Sequence, residues 1–195
     1  MELKNNRKLS EKKQAVYAMY FNSAFSASIQ RSGTYSECVD VRKKREFKRY
    51  IFDRLRLIEK DLKSSPISYD DMFTKIQNFK DDVEIEHKDI LNNGCYKYGV
   101  AQKVVNVYLK LVWSAGLIKN EPPHCPIDSL IIKALSKYSE INLQDKKLTW
   151  TTMIDANPYR EIMDQIKSIA GTKTIAVWEL EAYNNSSAVK WLYQG

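Results

Sequence analysis

The residues best placed to do chemistry lie between Asp89 and Leu135. Spacing there predicts a helix ending near Asn92, a tight loop through Tyr98, Gly99, Val100 and Ala101, and a second helix opening with Gln102 and Lys103. A glycine-bearing loop that feeds a helix turns several backbone amides in one direction. Those amides, with the helix dipole, hold a phosphate without reading a base. Farther along, Asp128 stands where a helix should begin after Pro122, Pro123 and Pro126. A carboxylate in that position accepts from the open amides of the first turn and so caps the helix, and the same setting keeps it ionised.

Other chemistries find little support. His87 and His124 are far apart in the chain with no carboxylate-rich partner motif, so no zinc hydrolase constellation forms. Cys38, Cys95 and Cys125 are too widely spaced for a metal knuckle or a closed disulfide framework, which leaves reduced thiols as the simplest state. A GxSxG elbow, a Walker loop, a GxGxxG run after a strand and kinase signatures are absent from the sequence. The densest positive cluster, Arg42, Lys43, Lys44, Arg45, Lys48 and Arg49, falls between the apolar positions of an amphipathic helix and reads first as its solvated face. Tyr17, Tyr20, Phe21, Trp113 and Trp178 could stack on a base, but most of the aromatic residues are needed for packing.

The elements that must position these residues are helices. The chain has 195 residues, enough for one domain or two small lobes, and only six glycines and five prolines interrupt it. Helical spacing predicts a first helix from Ser10 to about Ile29, ended by Gly33, and a second from Ser36 through Phe47, Ile51, Leu55, Ile58 and Leu62. Shorter helices are expected around 69–79 and 82–92, then a strongly apolar one from Val100 to Ala115, one around Leu130 to Leu135, and two near 158–170 and 174–183. Strand signals are confined to stretches such as Leu148 to Thr152, so the expected class is all-α. A net charge of +7 favours a polyanionic partner, nucleic acid first among them. No apolar run nears the roughly 18 residues of a membrane span, and the first residues lack the apolar stretch of a signal peptide, so a cytoplasmic protein with no membrane partner is expected.

The run Gly99, Val100, Ala101, Gln102, Lys103, Val104, Val105, Asn106, Val107, Tyr108, Leu109, followed downstream by Cys125, Pro126, Ile127, Asp128, Ser129, Leu130 and Ile131, resembles the helix-hairpin-helix DNA glycosylases. This superfamily includes endonuclease III and the 8-oxoguanine glycosylases. Its hairpin typically reads Leu-Pro-Gly-Val-Gly, with a lysine following in bifunctional members and an aspartate some way beyond. Laid over this chain, Gly99 and Val100 take hairpin positions, Lys103 the nucleophile position and Asp128 the aspartate position; Asn106 and Leu109 fit the helix behind. Tyr98 stands where the proline would be, Ala101 replaces the second glycine, and residues 121–126 form an insertion. No cysteine follows Cys125, so the iron–sulfur loop of endonuclease III is lacking and no cofactor is implied.

The resemblance implies a two-lobed helical fold: a middle lobe over about 36–116 carrying the hairpin at 92–103, and a second lobe from about 9–30 and 125–195. It implies a monomer acting on double-stranded DNA that contains a damaged or modified base, in base-excision repair or in defence against phage with modified DNA. Lys97, Tyr98, Gly99, Val100, Ala101 and Gln102 would contact the strand. Asp128 would stabilise the cationic sugar as the base leaves, and Lys103 would attack C1′ to give a Schiff base with abasic-site lyase activity. Tyr96, Trp113 and the Gln30–Arg31 pair are candidate pocket residues. Two other readings stay open: a non-catalytic helix-hairpin-helix DNA-binding module, and a helical adaptor whose basic face meets an acidic protein.

Overall fold

Apolar residues lie on nearly every side of the segment from Tyr98 to Ser114, and a helix of that kind is stable only when it is surrounded. In a computed structural model that describes residues 2–138, 149–187 and 189–192, with side chains from residue 10 onward, this helix is the one the others enclose. In chain order the helices are α1 (Glu2–Ile29), α2 (Val41–Ser64), α3 (Tyr69–His87), α4 (Tyr98–Ser114), α5 (Ser129–Leu135), α6 (Asn157–Ala170) and α7 (Ile175–Asn184). The described residues contain no strand, only an isolated antiparallel bridge between Tyr35 and Leu91, so the chain is all-helical there.

α1 runs along α4, α2 and α3 pack against it from another side, and α5 and α6 each pack on α7. The stripe on α2 is fully inward: Phe47, Ile51, Leu55 and Leu62 are wholly buried and Ile58 nearly so. Arg42, Lys43, Lys44, Arg45 and Arg49 stay on its solvent side. There Lys43 pairs with Asp89, while the Lys48 ammonium lies over the rings of Phe21 and Phe25. Tyr17, Phe21 and Trp178 are core residues, as packing demands of most aromatics here.

Four readings differ from expectation. α2 begins at Val41 and not at Ser36, because the Asp40 side chain caps it and residues 34–36 pair with the backbone of 90–92: Asn92 N donates to Thr34 O at 2.9 Å and Ser36 N to Ile90 O at 3.0 Å. The two helices expected over 69–92 are one helix to His87. Ile76, Phe79, Lys80 and Val83 carry a single buried stripe across the junction, and Asp81 and Asp82 sit on its outer side, where Asp82 pairs with Arg54 of α2. Trp150–Thr152 is one tight helical turn and not a strand; Leu148 lies outside the described residues. α1 also starts earlier than Ser10.

Candidate active site

Two neighbouring residues of α4 decide where the chemistry sits. Gln102 is wholly buried, and its amide clasps the backbone on either side of one residue: Nε2 donates to Ile127 O at 3.0 Å, and Ile127 N donates to Oε1 at 3.1 Å. One turn on, Asn106 Nδ2 donates to the hydroxyl of Tyr159 at 2.9 Å, and that hydroxyl donates to Cys125 O at 3.2 Å. His124 closes the set, its ring nitrogens bonded to Tyr69 O at 2.9 Å and the Tyr159 hydroxyl at 3.2 Å. Burial holds the His124 pKa down to about 3, so it is a neutral packing residue and no acid–base group at ordinary pH. Together these bonds lay the proline-rich strap 122–127 against α4 and deliver the residue that follows it, Asp128, to the cleft that Lys103 lines.

Asp128 is the N-cap of α5. Its Oδ1 accepts from Leu130 N at 2.9 Å and Ile131 N at 3.1 Å, while Oδ2 carries no hydrogen bond among the described residues. The carboxylate is half-buried, held by one oxygen and open at the other. Lys103, in the second turn of α4, is 8% exposed and holds its ammonium 4.0 Å from the centre of the Trp150 ring. Burial pushes its pKa below the usual lysine value, with the charge of Asp128 pulling the other way. The two residues form no ion pair, yet both line one cleft of about 370 Å³, a size suited to a small ligand, where α1, α4, α5 and α7 meet. An amine with a lowered pKa in one cleft with a carboxylate is an arrangement for attack at a carbon that becomes cationic.

The hairpin residues are not where the expected phosphate grip would need them. Tyr98, Gly99, Val100, Ala101 and Gln102 are all buried, and Tyr98–Ala101 are the first turn of α4 and not a loop before it. Gly99 N donates to Met153 O at 3.0 Å, and Val100 N and Ala101 N donate to Lys97 O at 3.0 and 3.1 Å. Residues 150–153 cover this turn so closely that a Cβ on Gly99 would stand 1.7 Å from Trp150 O. The assignment of these five residues as DNA contacts is therefore corrected: all five are buried within the fold, and the amides of Gly99, Val100 and Ala101 are spent on Met153 O and Lys97 O. Lys97 is half-buried and donates to Ser32 O at 3.0 Å, tying the end of α1 to α4.

Of the pocket candidates, Tyr96 is sealed in the core, Gln30 and Arg31 are exposed, Trp113 is half-buried, and none lines the cleft. Sequence reasoning missed Lys110, Glu179 and Tyr183, which do line it. Lys110 Nζ pairs with Glu179 Oε1 at 2.7 Å and lies 4.8 Å from the Tyr183 ring centre. Burial raises the Glu179 pKa while Lys110 lowers it. A glutamate inside the apolar run from Ile175 to Leu180 was the available signal.

Gln102→Leu tests the clasp. It strands the Ile127 amide and carbonyl in the interior, so a loss of about 2–4 kcal/mol is expected from two unsatisfied buried groups, read as a fall in the denaturation midpoint. Unchanged stability would show that the strap is held by other contacts. Comparison with protein-family models, curated proteins and solved structures finds no match to the chain.

Proposed function

We propose that the chain is a DNA glycosylase with abasic-site lyase activity, acting on double-stranded DNA that carries a damaged or modified base. One observation carries the reading: Lys103 and Asp128, the two positions the sequence motif marks for this chemistry, line the same cleft, the amine desolvated and the carboxylate with one oxygen open. The reading rests on that cleft and not on the hairpin amides. For the same reason it is favoured over a non-catalytic hairpin module, whose grip would need those amides free.

The base must first leave the stack, at a cost of a few kcal/mol. As the C1′–N bond breaks, its electron pair leaves with the base, which takes up a proton, and Asp128 faces the positive charge left on the sugar. The neutral Lys103 amine bonds to C1′. Its nitrogen then loses a proton, the ring oxygen takes one as the ring opens, and an iminium results, from which loss of the C2′ proton expels the 3′ phosphate and breaks the C3′–O bond. On this reading α2–α4 form the middle lobe and α1 with α5–α7 the second, which puts the cleft at their junction.

Borohydride trapping on abasic and modified duplexes tests it. Wild-type protein is expected to give a covalent adduct that Lys103→Gln loses. Because burial lowers the Lys103 pKa, the neutral, attacking form is reached at lower pH than for an ordinary lysine; the rise of trapping rate with pH should be centred below 10.5. A limb at the ordinary value would show an exposed lysine. Neither adduct nor base release from any duplex would overturn the proposal.

A further inference from the structure

A second charged pair shares the cleft and is not used by the reaction just described. Glu179 is 3% exposed on α7 and gives Oε1 to Lys110 of α4; its Oε2 takes no hydrogen bond among the described residues and is not sealed off. Lys110 spends one of its three protons on Glu179, and both residues line the space that Lys103 and Asp128 line. Each partner thus has a hydrogen-bonding valence left without breaking the pair. An ionised carboxylate only accepts and an ammonium only donates. Side by side, they match a molecular edge that offers an N–H next to an acceptor oxygen or nitrogen. The exposed flank of the pair is the ring of Tyr183, a flat surface against which a planar group can lie.

Resting on the glycosylase reading, we propose that Lys110 and Glu179 are the specificity-determining pair of this site: they read the hydrogen-bonding edge of the extruded base. Bases whose edge keeps a free donor beside an acceptor are admitted, and bases whose edge is bridged or alkylated are rejected. The physical reason is asymmetric. A base with a free edge satisfies Glu179 Oε2 and a Lys110 proton as it displaces water. A base with a blocked edge displaces the same water and leaves Glu179 Oε2 and the spare Lys110 protons without a partner, and sites built to hydrogen-bond a donor reject analogues that lack it by large factors. Purine and pyrimidine bases can both present such an edge, so the pair selects the edge and not the ring size.

Matched duplexes test this without requiring turnover. Placed on a 2′-fluoro sugar, which disfavours the cation and so resists cleavage, hypoxanthine is compared with 1,N6-ethenoadenine in the purine arm, and uracil with 3,N4-ethenocytosine in the pyrimidine arm. Each ethenobase keeps the purine or pyrimidine ring but carries a fused two-carbon bridge across its edge. Wild-type protein is expected to bind the free-edge member of at least one arm about 10-fold or more tightly, and the arm that discriminates names the ring class. Equal affinities in both arms overturn the inference. The double variant Lys110→Met/Glu179→Leu removes both charges without leaving either one unpaired and is expected to fold. It should bring the affinities within each arm together; discrimination that survives in the folded double variant assigns the pair a structural role and also overturns the inference. Wild-type trapping on a plain abasic duplex, which has no base to read, keeps the two failures apart. An adduct without edge discrimination removes only this inference, and no adduct with no base release removes the glycosylase reading beneath it.

Discussion

Asp128→Asn is expected to lower the rate of base release about 10²–10³-fold while leaving the fold almost as stable as before. The two effects separate because the side chain has two jobs on two oxygens. Oδ1 caps α5 through the amides of Leu130 and Ile131, and asparagine is as good an N-cap as aspartate, so melting should move by no more than the equivalent of about 0.5 kcal/mol. The charge on the other oxygen is what an amide cannot supply to a cationic sugar. Asp128→Ala supplies the contrast: it loses the cap as well and should cost about 1 kcal/mol of stability. The decisive measurement is single-turnover base release beside a thermal melt for each variant. If Asp128→Asn releases base at the wild-type rate, the residue is a cap and nothing more.

Gly99→Ala should produce the largest structural effect of any glycine-to-alanine change among the described residues. A Cβ at this position would stand 1.7 Å from the carbonyl oxygen of Trp150 and 2.7 Å from its carbonyl carbon, both backbone atoms that no rotamer change can move. Either the variant loses about 3 kcal/mol or more to overpacking, or residues 150–153 lift away. Lifting breaks the bond from Gly99 N to Met153 O and carries the Trp150 ring off the Lys103 ammonium. Both routes converge on one observable pair: a lower denaturation midpoint, and a Lys103 amine whose pKa returns toward the ordinary lysine value as water reaches it. A melt and a trapping profile matching wild type would mean that the turn over α4 is far looser than its contacts indicate.

Local pattern carried the helices a long way. The steps of Phe47, Ile51, Leu55, Ile58 and Leu62 specify the buried face of α2 without help from the rest of the chain, and the uniform apolarity after Tyr98 marks α4 as enclosed. What misled was a choice between equivalent local signals. Asp81 and Asp82 look like the acidic first turn of a new helix, and only the stripe continuing to Val83 shows that α3 does not stop. Ser36 and Asp40 can each cap a helix; pairing with residues 90–92, which are remote in the chain, selects Asp40. The site divides in the same way. Asp128 as a cap is a local property, legible in its residues. The burial of Tyr98–Ala101 is not, because it is imposed by residues 150–153. Gln102 was legible only as a polar residue at a helix start, since the partners it clasps are backbone atoms, which have no sequence signature. Lys110 and Glu179 are charges inside apolar runs, a signal the sequence reading passed over, and their pairing needs the register of α7 on α4.

The clasp by Gln102 has a further consequence for how the chain can vary. Asp128 owes its address to a side chain on α4 and not to the path the backbone takes from the end of α4 to the strap. Its spacing from Lys103 is therefore insulated from the length of the exposed bend at Ala115 and Gly116, which can gain or lose residues while the reactive amine and acid keep their separation. In this architecture the distance between the two reactive groups is inherited through buried side-chain bonds from α4, Gln102 to Ile127 and Asn106 through Tyr159 to Cys125, and not through the length of the bend between them.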